Sequence, residues 1–162
     1  MAALTVWIFH TPAGAAETAT ALQSLARRGV VVVNDAATVS WERTAKKPQT
    51  RQLAGTGTAG GLGDSFWGLL FGLIFLIPLL GAAMGAATGA VAGSLTDVGI
   101  DDTFINKVRD QVTPGSSGLF VLSPDAAMDT IATELAVHQP VEVIFTHLTA
   151  EQERALRWVF TG

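Results

Sequence analysis

A chain of 162 residues that is 15% charged, against roughly 25% for an ordinary soluble domain, with mean hydropathy +0.40, fits one domain carrying an inserted apolar element. The absence of cysteine excludes disulfide scaffolds, thiol catalysis and cysteine-based zinc sites. A net charge of −4 with no aromatic–basic stripe argues against nucleic-acid binding.

The charge is unevenly spread. Residues 1–53 carry six basic and three acidic side chains, residues 97–162 carry four and ten, and residues 65–96 carry none. No basic region precedes the first apolar run, so no secretory signal is expected and the N-terminus is expected to stay in the cytoplasm.

Residues 4–9, LTVWIF, predict a strand. Thr11-Pro12 opens a helix over residues 14–28, whose apolar stripe is Ala15, Ala19, Leu22, Leu25 and Ala26. Gly29 is placed to end it. Residues 30–42 predict a long strand with a break near Asn34-Asp35, then a β-hairpin turning near Lys46-Lys47-Pro48. After the apolar stretch, Asp101 starts a helix with acids at its positive end and Lys107 and Arg109 toward the other. Residues 119–122 form a strand. Ser123-Pro124-Asp125 starts a helix running to about Val137, and residues 141–145 form the last strand. A terminal amphipathic helix over residues 149–160 opens with a Thr149–Gln152 capping box and shows Leu156, Val159 and Phe160 on one side.

The chain echoes itself. VWIFHTPAGAAETATALQSLA and LFVLSPDAAMDTIATELA are each a strand, a Ser/Thr-Pro turn and an Ala/Thr-rich helix, followed by a further strand. Two βαβ units in sequence predict an α+β fold, a ferredoxin-like α/β sandwich. The expected organisation is a first half over residues 1–53, an apolar helical hairpin over 54–98, and a second half with its C-terminal helix over 99–162.

The insert divides by side-chain size. FWGLLFGLIFLI (residues 66–77) is bulky on nearly every face, and Pro78 breaks the pattern. From there to Asp97 the side chains are small, with Gly81, Gly85, Gly89 and Gly93 in one slowly turning row. Glycine costs up to about 1 kcal/mol per helical position relative to alanine. Four in a row need repayment by close backbone contact. Gly68 and Gly72 supply a matching groove. Because the second arm is small on more than one side, several copies are expected to pack there. Phe66, Trp67, Leu70, Phe71, Ile74 and Phe75 are expected to face lipid or another apolar surround. At about 1.5 Å per residue the second arm reaches about 30 Å, one hydrocarbon thickness, and the first only about 18 Å. Extending the first arm backward would bury Asp64, at a cost of several kcal/mol. Asp64 therefore marks the interface or lines a pore. A flexible linker is excluded, because linkers are polar and aperiodic.

Other chemistry is weakly signalled. Gly55, Gly57 and Gly60 match G-x-G-x-x-G, but position 80, where the ribose-binding acid belongs, is Leu80. His10, His138 and His147 lack metal-type spacing. Asp101 and Asp102 read as helix-start residues, and Ser116-Ser117 lack the Gly-x-Ser-x-Gly elbow. No metal, cofactor or catalytic residue is assigned.

IPLLGAAMGAATGAVAGSLTDVGIDDTFINKV, followed by VTPGSSGLFVL, resembles a bacterial family known only as domain of unknown function 1269. The shared features are the glycine row, the D-x-G-I-D-D-x-F-I run at residues 97–105, and the Pro-Gly-(S/T)-(S/T/A)-(A/G)-(L/I)-F strand entry at residues 114–120. The resemblance covers nearly the whole chain. It implies a bacterial, membrane-associated protein, and it brings no established reaction and no catalytic residues.

The expectation is a non-enzymatic homo-oligomer at the bacterial inner membrane, with a scaffolding or envelope and stress-related role and membrane lipid as a partner. Arg43, Lys46, Lys47 and Arg51 place the basic flank, and so the α/β domain, in the cytoplasm. Two alternatives stand beside it. One is an oligomeric channel with Asp64 near its mouth. The other is a soluble oligomer that buries the hairpins and holds a lipid-like ligand.

Overall fold

The computed structural model describes residues 2–53, 67, 70–72, 74, 75, 100 and 102–149. Strand β1 (Ala2–Phe9) is apolar on both faces. Leu4, Val6 and Ile8 are buried on one side, and Trp7 and Phe9 on the other. A strand of that kind belongs inside a sheet covered on both faces. Helix α1 (Gly14–Arg27) follows, with Ala15, Thr18, Ala19, Leu22 and Leu25 buried, so it stops where Gly29 was expected to stop it.

The long strand expected from Val30 is shorter than its pattern. Strand β2 is Asp35–Ser40. Val31 and Val33 are buried while Val30 and Val32 are exposed, so alternation continues without a ladder. The reason lies in the partner strand. β2 pairs with β4 (Ser117–Pro124), with Asp35 opposite Leu122. The next positions in that register lead to Pro124, which has no N–H to offer. Strand β3 (Gln49–Gln52) closes the expected hairpin against β2.

Helix α2 (Asp102–Gln111) precedes β4. Helix α3 (Met128–Leu135) lies between two single 3-10 turns, Asp125–Ala127 and Ala136–His138. Strand β5 is Glu142–Leu148. The chain is therefore mixed α+β, with a five-stranded sheet in the order β3-β2-β4-β1-β5 and antiparallel pairing throughout. It follows that β1 and β2 run parallel with β4 between them, and β4 and β5 run parallel with β1 between them. Each β-α-β unit receives the first strand of the other, so the sheet joins residues 2–53 to residues 117–148.

Two apolar layers flank the sheet. Helices α1 and α3 cover the face of Trp7, Phe9, Leu119 and Val121. Helix α2 and side chains of the apolar segment cover the face of Leu4, Val6, Ile8, Phe120 and Leu122. The start of α1 sits so close to β1 that a Cβ on Gly14 would lie 2.6 Å from the Phe9 Cβ and 2.9 Å from Thr11 Oγ1. Gly14→Ala is expected to lower stability by about 1–2 kcal/mol in urea unfolding. Alanine's better helix propensity is worth at most about 1 kcal/mol and does not offset the overlap.

Candidate functional site

The apolar segment meets the sheet through Trp67, Leu70, Phe71, Ile74 and Phe75. These residues are helical, and their spacing of three and four residues puts them on one side of a helix. Trp67 is 2% exposed, Leu70 0%, Phe71 4% and Ile74 0%. They pack with Leu4, Val6, Val39, Phe120 and Ile144 of the sheet and with Phe104, Ile105 and Val108 of α2, and the partly buried Phe75 lies against the same cluster. Phe120 is the aromatic centre. Its ring lies 4.9 Å from that of Phe71 at 82° and 6.2 Å from that of Trp67 at 78°, the edge-to-face geometry that aromatic quadrupoles favour. Trp41, from the turn after β2, meets Phe75 edge-on at 6.1 Å.

Of the two surrounds expected for Trp67, Leu70, Phe71, Ile74 and Phe75, lipid or another apolar one, the described side chains meet the second. The apolar surround they face is the protein's own sheet. An apolar helical stripe records only that water is avoided, and a sheet face satisfies it as well as a bilayer. Among the described residues no helix is long and apolar enough to cross a membrane.

The segment is also held by a polar contact. Arg109 Nε donates to the Ile74 carbonyl at 2.6 Å, and its Nη1 donates to Asn106 Oδ1 at 3.0 Å. Four residues after Ile74 comes Pro78, which has no N–H with which to satisfy that carbonyl. A guanidinium from α2 supplies the donor the sequence withholds. Trp41, Ile74, Phe75, Arg109, Val112 and Pro114 line a small cavity of about 170 Å³ beside this contact.

The Pro-Gly-Ser-Ser-Gly run before β4 is a structural joint. Gly115 has φ +90°, and a Cβ there would meet the Arg43 side chain at 2.9 Å. Its N–H donates to the Trp41 carbonyl. Ser116 Oγ accepts from the Thr113 N–H at 2.8 Å and donates to the Thr113 carbonyl at 2.7 Å. Ser117 Oγ accepts from the Ala15 N–H at 2.9 Å and donates to the Thr11 carbonyl at 2.7 Å. Helix α1 has Ala13 at its N-cap and no side-chain cap there, so a serine about a hundred residues away in sequence, by the general logic of orphan helix donors, performs that task. Both hydroxyls are engaged in holding backbone.

Gly72 is helical and half-buried. Asp64, Phe66, Gly68, Gly81, Gly85, Gly89 and Gly93 lie outside the described residues, as do Gly55, Gly57, Gly60 and all but the first residue of the terminal helix expected over residues 149–160. His147 Nδ1 lies 2.9 Å from Asp125 Oδ1 on a half-exposed surface. The two are 22 residues apart, and only the return of β5 beside β1 brings them together. His10 is exposed and His138 half-buried. Among the described residues no group of three or more His, Cys, Asp or Glu side chains is placed to hold a metal.

A family model described as a protein of unknown function, DUF1269, matches residues 61–161. The chain belongs to this family. The DUF1269 region takes in the apolar segment, α2, β4, α3 and β5. In the sheet, β4 and β5 are separated by β1, so the DUF1269 strands here reach one sheet only through residues that precede the matched region. No curated protein and no solved structure matches the chain.

Two buried serines should behave oppositely. Ser117→Ala is expected to cost about 1–2 kcal/mol, because it removes a helix cap. Among the described residues Ser123 Oγ is buried without a hydrogen-bond partner, so Ser123→Ala should leave stability unchanged or raise it by up to about 1 kcal/mol. Urea midpoints compare the two directly. Arg109→Met should lose about 1–3 kcal/mol, the cost of orphaning a buried carbonyl. Hydrogen exchange should then show the amides around Ile74 opening before those of β1.

Proposed function

We propose that the chain is a non-enzymatic scaffold that assembles with copies of itself at a membrane through its glycine-rich segment, on a ferredoxin-like platform. The observation that carries this reading is the division of labour within the apolar stretch. Trp67, Leu70, Phe71 and Ile74 are built into the core beneath the sheet, so this arm anchors the stretch to the domain. Gly81, Gly85, Gly89 and Gly93, by contrast, suit the close approach of another backbone. Small side chains on more than one side of that arm call for several copies.

The strand order supports the ferredoxin-like reading. Without β3 it is β2-β4-β1-β5, with two interleaved β-α-β units, the split arrangement of that fold. The apolar stretch is then an insertion between the halves. The engagement of Ser116 and Ser117 in backbone hydrogen bonds supports a role without nucleophilic chemistry. Arg43, Lys46, Lys47 and Arg51 favour a cytoplasmic platform against the anionic leaflet of a bacterial inner membrane, in a scaffolding or envelope and stress-related role.

The burial of the bulky arm favours one second reading. In it the assembly is water-soluble, buries its hairpins internally and holds a lipid-like ligand. Fractionation of the full chain separates the two: recovery with membranes, released only by detergent, is expected for the first, and complete recovery without detergent selects the second. The double variant Gly85→Leu with Gly89→Leu should shift the native mass to smaller species. An unchanged assembly would sink the glycine packing in both readings.

A further inference from the structure

Helix α1 packs chiefly on β1, β2 and β4, so the β2–β3 hairpin reaches out from beneath it. A groove of about 430 Å³ lies in the angle between them, a volume within the range of small-molecule sites. Its floor is one face of the hairpin. Thr38 is opposite Arg51 and Ser40 opposite Gln49, and all four line the groove. Its wall is α1, through Ala16, Ala19, Thr20 and Gln23. Ala16 is exposed and ends at Cβ, so the angle stays open.

The lining has a sign. Among the described residues that form it, Arg51 carries the only charge, and exposed Lys46 and Lys47 come just before β3. Such a groove favours an anion. The polar groups also differ along its length. The Ser40 hydroxyl donates to the Pro12 carbonyl at 2.9 Å, and the Thr20 hydroxyl donates to the Ala16 carbonyl at 3.1 Å. Near the start of α1 the hydroxyl protons are therefore engaged, and the oxygens are left to accept. Further along, Thr38 is only 5% exposed, yet its hydroxyl and the Arg51 guanidinium make no hydrogen bond with the described residues. A hydroxyl that deep calls for a partner, and the groove is the space it lines. Donors at one end and acceptors at the other suit a molecule that carries both an anionic group and hydroxyls.

We infer that the groove binds a phosphorylated polyol, with its phosphate on Arg51 and Thr38 and its hydroxyls toward Ser40 and Thr20. The planar guanidinium fork offers two parallel N–H groups to phosphate oxygens, and Thr38 adds a donor from the neighbouring strand. The Gln49 amide, which both donates and accepts, serves the polyol. Ala16 and Ala19 give its carbon chain an apolar wall. The groove lies within one chain and uses no residue of the glycine-rich segment, so it does not depend on the proposed assembly. The same chemistry arrives either as a soluble phosphate ester or as the phosphoglycerol headgroup of a lipid.

The test is titration calorimetry of the full chain, in non-ionic detergent if fractionation requires it, with glycerol 3-phosphate as the probe. Saturable binding is expected, tighter than that of inorganic phosphate, which lacks the polyol. Arg51→Gln should raise the dissociation constant by at least about tenfold. Thr38→Val, which keeps shape and strand propensity, should raise it by about threefold. Ala16→Leu, at an exposed helical position where leucine costs little, should abolish binding by filling the groove. Lys107→Gln, on α2 across the sheet, should leave it unchanged. Circular dichroism checks that the variants fold. Dihexanoylphosphatidylglycerol distinguishes the sources: if it displaces glycerol 3-phosphate the occupant is a headgroup, and if it does not the occupant is a soluble ester. Four results would overturn the inference: no saturable binding, inorganic phosphate bound as tightly as glycerol 3-phosphate, wild-type affinity in Arg51→Gln, or an equal loss in Lys107→Gln.

Discussion

Phe120 stands opposite Val6 on one side and Ala37 on the other, and its ring receives Phe71 and Trp67 from above. β4 can take this central place only because β1 and β2 leave a strand-wide gap that the second half of the chain fills. The first half by itself pairs only β2 with β3, and the second half pairs no strands of its own, since each β-α-β unit leaves its own two strands apart. The hydrophobic effect is non-directional. It is the ladder register on both sides of β4 that gives the burial of Phe120 a definite position. The apolar segment then finds a flat apolar face already formed.

That face has consequences for the rest of the chain. Arg109 has to reach Ile74 because Pro78 removes the donor that a continuing helix would need. The turn before β4 has to be tight because it carries Ser117 to the start of α1 and Gly115 against Arg43. The Ser116-Ser117 run, which lacks a nucleophile elbow, is a mechanical joint between the halves, and its serines are used as backbone ligands. The same economy appears in α1, whose own N-cap residue is an alanine. A helix start left bare by local sequence is completed from β4.

The functional reading rests on how the apolar stretch is shared out. Its bulky side chains satisfy the sheet, and its small ones suit contact between backbones. A scaffold needs a rigid platform and surfaces that recognise copies of itself, and the fold supplies the platform by closing both faces of the sheet.

Much of the secondary structure was legible. The β-branched and aromatic residues of LTVWIF, the apolar stripe of Ala15, Ala19, Leu22 and Leu25, and the Ser-Pro start before α3 are local signals, and local rules read them correctly. The repeated strand–turn–helix pattern pointed to two β-α-β units in one α+β domain. What local rules missed had distant causes. β2 begins late because its partner strand ends in Pro124. Ser117 caps a helix in the other half of the chain, and His147 meets Asp125 through strand order. The sequence by itself determined which residues of the apolar segment avoid water, because periodicity and side-chain size are local properties. Only the tertiary structure decided that Trp67, Leu70, Phe71 and Ile74 avoid it against a sheet. The transfer free energy of an apolar side chain is nearly indifferent to which apolar surface receives it.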